Sequence, residues 1–450
     1  MTTDILIPTG ALGAGIQEAH VRLGLQAGVH AIACDAGSTD SGPYYLSTGR
    51  SKYARAAVKA DLRILMRAQA EANIPLLIGS CGTSGADDAV AWTEAIALEI
   101  AHEEGLHPRI AILHSELDKP LVLQRAADRR IDPLAPVGPI TPASIDACDR
   151  IVALMGPEPY IGALRSGADI VLGGRTSDAA VLAAVALMHG QDAGAAWHAG
   201  KVGECGGLCT CDPRAGGVIL RVGQDGFEIE PLDPDNRCTP ESVSAHMLYE
   251  STDPFQVLEP GGMLDVRDAV YEALDPRRVR VSGAKFVTGP YTMKLEGAGA
   301  GAFQTIMIVG IRDPRVLAEL PRFLDQMQAA LGTRVAQTLG DAAGEFDLSL
   351  RPYGWNAVSG MAAPMAAPPQ EIGLMLVVTA ATQELATQIA KACNPVFFHM
   401  PLNRFEPLPS YGFPFSPAEI ERGQVHRFLL NHVVHVDHPG ELVRTRHTRL

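Results

Sequence analysis

Long hydrophobic runs are missing from this chain of 450 residues. The longest apolar stretch, around Ala179 to Met188, is about half the length a membrane span requires. Basic residues are also in short supply: 37 Lys and Arg against 51 Asp and Glu give a formal charge of −14. A nucleic-acid partner would need a basic face and an anionic bilayer a basic cluster, so neither is expected. The eight cysteines, at 34, 81, 148, 205, 209, 211, 238 and 393, are too scattered for a disulfide framework. The opening Met1-Thr2-Thr3-Asp4-Ile5-Leu6-Ile7-Pro8 lacks the basic start of a signal peptide and reads as a buried strand. A cytoplasmic location with reduced thiols is the expectation.

With 47% apolar and 20% charged residues, the chain has the make-up of a folded protein. Its length predicts two or three domains. Strand and helix signals alternate through the first 190 residues. Strands are expected at Ile5–Pro8, Ala31–Cys34, Pro75–Ile78, Arg109–Leu113 and Asp169–Leu172. Helices are expected up to Ala27, then over Ser51–Ala72, Ala86–Glu103, Ser144–Met155 and Asp178–His189. Repeated βα units of this length predict a doubly wound, mostly parallel α/β sheet over residues 1–200. Residues 201–285 are rich in Gly and Pro and read as a connecting region with short strands. From 286 to 450 the order strand–helix–strand, strand–helix–strand predicts a ferredoxin-like α+β domain. It includes a strand at Val396–His399 and a loop over the Ala/Pro stretch from Ala362 to Pro369.

Three predicted strands end in loops of small polar residues, each followed by a helix. These are Cys34-Asp35-Ala36-Gly37-Ser38-Thr39-Asp40-Ser41-Gly42, Gly79-Ser80-Cys81-Gly82-Thr83-Ser84-Gly85 and Gly173-Gly174-Arg175-Thr176-Ser177-Asp178. In an open α/β sheet, ligands sit beyond the carboxyl ends of the strands, where free helix amides favour anions. Together with the turn at 9–15, these loops are expected to face one cleft. The spacing of Gly10, Gly13 and Gly15 is not that of a dinucleotide fingerprint. This turn is expected to offer its amides to a carboxylate, phosphate or carbonyl oxygen instead.

Asp35, Asp40, His114 and Glu204 are the candidate acids and bases. Ser38, Tyr44 and Lys52 share the first loop, with Lys52 suited to orienting an anion. Ser80, Gly82, Thr83 and Ser84 read as an anion cradle, and Arg175, with Thr176, as a clamp for a carboxylate. Asp178 reads either as a helix-start charge or as part of the site. Cys81, at a helix start, has the position of an activated thiol that His114 could serve as base. Glu204 and Cys205 form a candidate pair in a glycine-rich turn. Cys205, Cys209 and Cys211 have a C-x₃-C-x-C spacing that matches no standard zinc site, even with Cys238 or His198 as a fourth partner. No metal and no cofactor are expected. Lys294 and Glu296, two apart on a strand, should share a face that is either solvent or the site, with Lys294 as a candidate substrate contact and the Tyr291–Gly297 segment reaching the cleft.

Several blocks resemble the acyclic terpene utilisation (AtuA-like) family. They are Gly174-Arg175-Thr176-Ser177-Asp178-Ala179, Gly203-Glu204-Cys205-Gly206, Thr239-Pro240-Glu241-Ser242-Val243, Leu248-Tyr249-Glu250, Tyr291-Thr292-Met293-Lys294-Leu295-Glu296-Gly297 and Phe413-Pro414-Phe415-Ser416-Pro417. The resemblance covers nearly the whole chain. It implies a catabolic setting, the breakdown of branched acids or their CoA thioesters. The residues themselves fit a cofactor-independent hydratase or lyase acting on such a small-molecule carboxylate or acyl-CoA, and a homo-oligomer is expected. A Cys- or Ser-dependent hydrolase and a non-catalytic acyl-binding subunit are the alternatives.

Overall fold

In the computed structural model, which describes residues 1–214, 216–250, 253–360 and 367–449, the chain divides into two compact units. The first comprises Met1–Gly299 with Arg427–Leu450, the second Ala300–His426. The Ala/Pro loop expected from Ala362 to Pro369 lies largely outside the described residues.

The first unit is built on a ten-stranded mixed sheet. Its strands are β1 (Thr3–Ile7), β2 (Ala31–Asp35), β3 (Leu76–Gly79), β4 (Arg109–His114) and β5 (Ile170–Gly173), then β6 (Val218–Val222), β7 (Phe227–Pro231), β8 (Val270–Ala273), β9 (Val279–Ser282) and β10 (Arg444–Arg449). They lie in the order β8-β9-β7-β6-β1-β2-β3-β5-β4-β10. The pairs from β1 to β4 are parallel, as continuous apolar strands joined by helices require. The remaining pairs are antiparallel. The sheet is therefore mixed rather than mostly parallel, because short hairpins extend one edge and the C-terminal strand closes the other.

Alternation along the parallel strands explains why both faces are covered. Leu6, Ile32, Ile78, Ile110 and Leu172 pack with helices α1 (Glu18–Gln26), α2 (Arg55–Ala72) and α3 (Asp87–Glu104). Ile5, Ala33, Leu77, Ala111 and Val171 pack with α4 (Asp178–Met188) and α5 (Ala193–Gly203). Helix α4 is buried on every side, which is why its sequence has no polar face.

Two expected elements differ. The helix expected over Ser144–Met155 is a short helix, Pro142–Asp146, followed by a buried strand, Arg150–Ala153, paired with the first part of Thr292–Ile311. The strand expected at Val396–His399 is the end of helix Gln383–His399, which continues through Pro395.

The second unit has antiparallel strands in the order Phe346–Tyr353, Ile372–Ala380 and the distal part of Thr292–Ile311, with Ile420–His435 next. Helices Leu320–Leu339 and Gln383–His399 supply Phe323, Leu331, Ile389 and Phe397 to its core. Among the described residues, no helix is long and apolar enough to cross a membrane.

Candidate functional site

The site forms where the β1 and β2 loops meet the chain that leaves α5. A cavity of about 570 Å³ opens there, within the range usual for small-molecule sites. Its walls include Gly10, Asp35, Asp40, Lys52, Asp178 and Glu204, together with Cys205, Arg214, Tyr249 and Glu250.

Backbone contact fixes one wall. A Cβ on Gly10 would stand 2.6 Å from the carbonyl oxygen of Cys205, and Gly206 adopts φ +58° with its own Cβ position 2.7 Å from the Gly10 nitrogen. Both positions need glycine for the two loops to touch. The turn after β1 does offer its amides to a carboxylate, but that carboxylate belongs to the protein. Asp61 on α2 accepts from the N–H of Gly13 (2.8 Å), Gly15 (3.0 Å) and Ile16 (3.0 Å). Gly13 itself is not part of the cavity wall. Replacing Asp61 by Ala leaves three amides without their acceptor, so we expect a loss of about 1–3 kcal/mol or more, read by thermal unfolding. Hydrogen exchange should quicken at residues 13–16 before it does in the parallel strands.

The loop after β3 is wholly buried, and none of its residues is part of the cavity wall. Ser80 and Cys81 donate their N–H to the carbonyls of Gly174 and Gly173, and Lys52 N–H donates to Thr83 Oγ1 (2.9 Å). The amide of Ala86 reaches Ser84 Oγ at 3.4 Å. The 79–85 and 173–176 loops are thus fastened to one another. Cys81 is buried, and burial pushes its thiol well above the ordinary range. A protonated, enclosed thiol is not an activated nucleophile. His114 lies elsewhere, its Nδ1 2.9 Å from Asp87 Oδ1, and Asp87 also accepts from Arg444.

Arg175, expected to clamp a substrate carboxylate, is committed within the fold. Nε donates to Glu296 Oε2 (2.9 Å), and one terminal nitrogen donates to Ser80 Oγ, the Thr176 carbonyl and Asp178 Oδ1 at 3.2–3.3 Å. Thr176 Oγ1 donates to the Gly174 carbonyl and meets Tyr160 Oη. Lys294 shares a face with Glu296, Nζ to Oε1 2.8 Å. It lines a second, apolar cavity of about 450 Å³ with Leu154, Leu258, Met263 and Val287. Tyr44 accepts from Arg50 beside Tyr45, and its side chain is not part of the cavity wall.

The acids around the cavity are unusual. One Asp35 oxygen accepts from Gly37 N–H (2.8 Å), while Oδ1 is buried with no partner among the described residues. Burial, then the charge of Asp178, pushes Asp35 well up, with Arg175 pulling the other way. Asp178 is raised to about 6 by burial, opposed by Arg175 and reinforced by Asp40. Asp40 is held by Ser38, whose hydroxyl donates to Oδ2 at 2.6 Å. Burial raises Glu204 to about 8 against the pull of Lys201, which donates to its Oε1 at 2.5 Å. Glu259, which lines the second cavity and is bonded to Ser177, is raised by burial to about 7. On the wall of the first cavity Lys52 carries its ammonium over the ring of Tyr53, and Arg214 is bonded to Asp212 and largely exposed. Tyr53, Lys201, Arg214, His246 and Glu259 carried no functional signal in the sequence.

The blocks noted above also find structural reasons. Thr239 and Ser242 form a capping box that starts helix Pro240–Ala245, and Ser242 Oγ donates to the Cys209 carbonyl (2.9 Å). That helix delivers His246 next to the 204–211 turn. The family model for the acyclic terpene utilisation family protein AtuA matches residues 45–405. The chain belongs to this family. Membership places it in the setting of acyclic terpene catabolism and is consistent with an enzyme. No curated protein and no solved structure was found to match.

Proposed function

We propose that the chain is an enzyme of hydratase or hydro-lyase type, acting on a small or branched carboxylate or its CoA thioester. The observation that carries this reading is the pair of carboxyls, Asp35 buried and Asp178 half-buried, that line one cavity and are both raised above the ordinary carboxylate range. Two carboxyls in unlike surroundings are how one site can hold both an acid and a base. In this reading Asp35, whose charged form burial disfavours, is the acid and Asp178 the base. In addition of water to a conjugated double bond, Asp178 takes a proton from water as the oxygen attacks the β-carbon. Asp35 gives its proton to the α-carbon, and elimination runs the same steps backwards. Lys52 and Arg214 suit the anionic end of the substrate. The family's catabolic setting supports a branched apolar acyl group. For the second unit, the strand order and its two helices support a ferredoxin-like reading.

The test uses the full chain with a panel of branched enoyl and 3-hydroxyacyl acids and CoA thioesters in deuterated water. Hydration with deuterium at the α-carbon, and no release of CoA thiol, is the expected result. Thiol release would make it a hydrolase, and binding without any exchange would make it a carrier.

A further inference from the structure

We infer that Glu204, Cys205 and His246 form a binding site for a divalent transition-metal ion, zinc foremost, at the wall of the 570 Å³ cavity. A carboxylate oxygen, the Cys205 sulfur and a ring nitrogen of His246 lie within 4.8 Å of one another. Tetrahedral zinc with bonds of about 2.0–2.3 Å spaces its donors by roughly 3.3–3.8 Å, so small side-chain adjustments close the set. His246 is only 5% exposed, and its Nε2 is buried with no hydrogen-bond partner among the described residues. A buried imidazole nitrogen without a partner costs free energy unless something binds it. A thiolate, an imidazole and a carboxylate together suit zinc, whereas calcium and magnesium take oxygen donors.

The surroundings favour a cation. Asp178, Glu250 and Glu259 stand within electrostatic reach of Glu204 or Cys205, with Lys201 on the other side. Lys201 engages one Glu204 oxygen and also reaches the Tyr249 carbonyl at 3.3 Å, so its ammonium can withdraw along an existing contact. Glu204 and Cys205 belong to the cavity wall. Three protein ligands with an open side toward a cavity is the arrangement of catalytic rather than structural zinc. The C-x₃-C-x-C spacing conceals this site, because only its first cysteine takes part and the histidine comes from the helix after Thr239. The inference does not depend on the reaction proposed above.

The metal is removed with a chelator, and the full chain is titrated with cobalt(II) and then zinc, without substrate. One equivalent per chain is expected, with proton release from the Cys205 thiol and a sulfur-to-cobalt charge-transfer absorption. Cys205→Ser should abolish that absorption. His246→Ala should weaken zinc by more than the roughly 10- to 100-fold that loss of a supporting group costs. Circular dichroism must show both variants folded, and Cys211→Ser serves as the control that keeps the absorption. No stoichiometric uptake would overturn the site. So would an absorption that survives in Cys205→Ser and disappears in Cys211→Ser, which would place the metal on the neighbouring cysteines. If His246→Ala fails to fold, His246→Gln replaces it with the same criterion.

Discussion

Asp178→Asn is expected to stop turnover and, at pH 7, to leave the protein more stable than the wild type. The first half follows from losing the base: general acid–base groups contribute about 10²–10⁴ in rate. The second half follows from linkage. Asp178 is raised from 3.8 to about 6, by burial first and by Asp40 and Glu250 among its neighbours, with Arg175 and Lys201 opposing. A carboxyl whose folded value lies above its unfolded value binds more protons in the folded state. Its contribution to stability therefore falls as pH rises from about 4 to about 6, and stays low above that. Asparagine resembles the protonated form and escapes this penalty. A gain of up to roughly 3 kcal/mol at pH 7, vanishing by about pH 4, is the upper bound. Denaturant unfolding at both pH values, beside the turnover assay, checks it. A residue kept charged at a cost to the fold has a use for the charge. If the variant is less stable at pH 7 and equally active, Asp178 is a helix-start charge and no more.

How far the sequence disclosed this site depends on what each residue type can reveal alone. The positions of β1 to β5 were legible because continuous apolar runs between helical patterns have few other readings. Asp35, Asp40, Lys52, Asp178, Glu204 and Cys205 do stand on one cavity wall. What composition cannot separate is a glycine-serine loop that cradles a ligand from one that latches onto another loop. The 79–85 and 173–176 segments look identical under either use, and only pairing across the sheet shows that they latch. Asp61 and His246 sit in ordinary helical surroundings, and tertiary placement alone makes them an organiser of the β1 turn and a partner for Glu204 and Cys205. Arg150–Ala153 was misread because a short apolar run fits a buried strand and a helix equally.

Arg175→Ala is expected to destabilise the first unit by about 3–5 kcal/mol, the usual consequence of removing one partner from a buried charged set. Without the guanidinium, Glu296 keeps only Lys294, and Asp178 loses its nearest cation. Arg175→Lys should recover little, since one ammonium cannot reach Glu296 and the Ser80, Thr176 and Asp178 acceptors together. The pH dependence carries the opposite sign to that of Asp178. Burial alone would raise Glu296, but Arg175 and Lys294 outweigh it and bring the carboxyl down from 4.5 to about 2. A depressed carboxyl contributes stability that is present above its unfolded value and is lost as pH falls through its folded value, here between about 4.5 and 2. The wild type should therefore lose roughly 3 kcal/mol from this group across that window, and Glu296→Gln should flatten the loss. Urea unfolding of wild type, Arg175→Ala and Glu296→Gln at pH 7 and near pH 3 measures all three. If Arg175→Ala melts like the wild type while substrate affinity collapses, the guanidinium holds substrate after all, and the Glu296 contact is only its resting position.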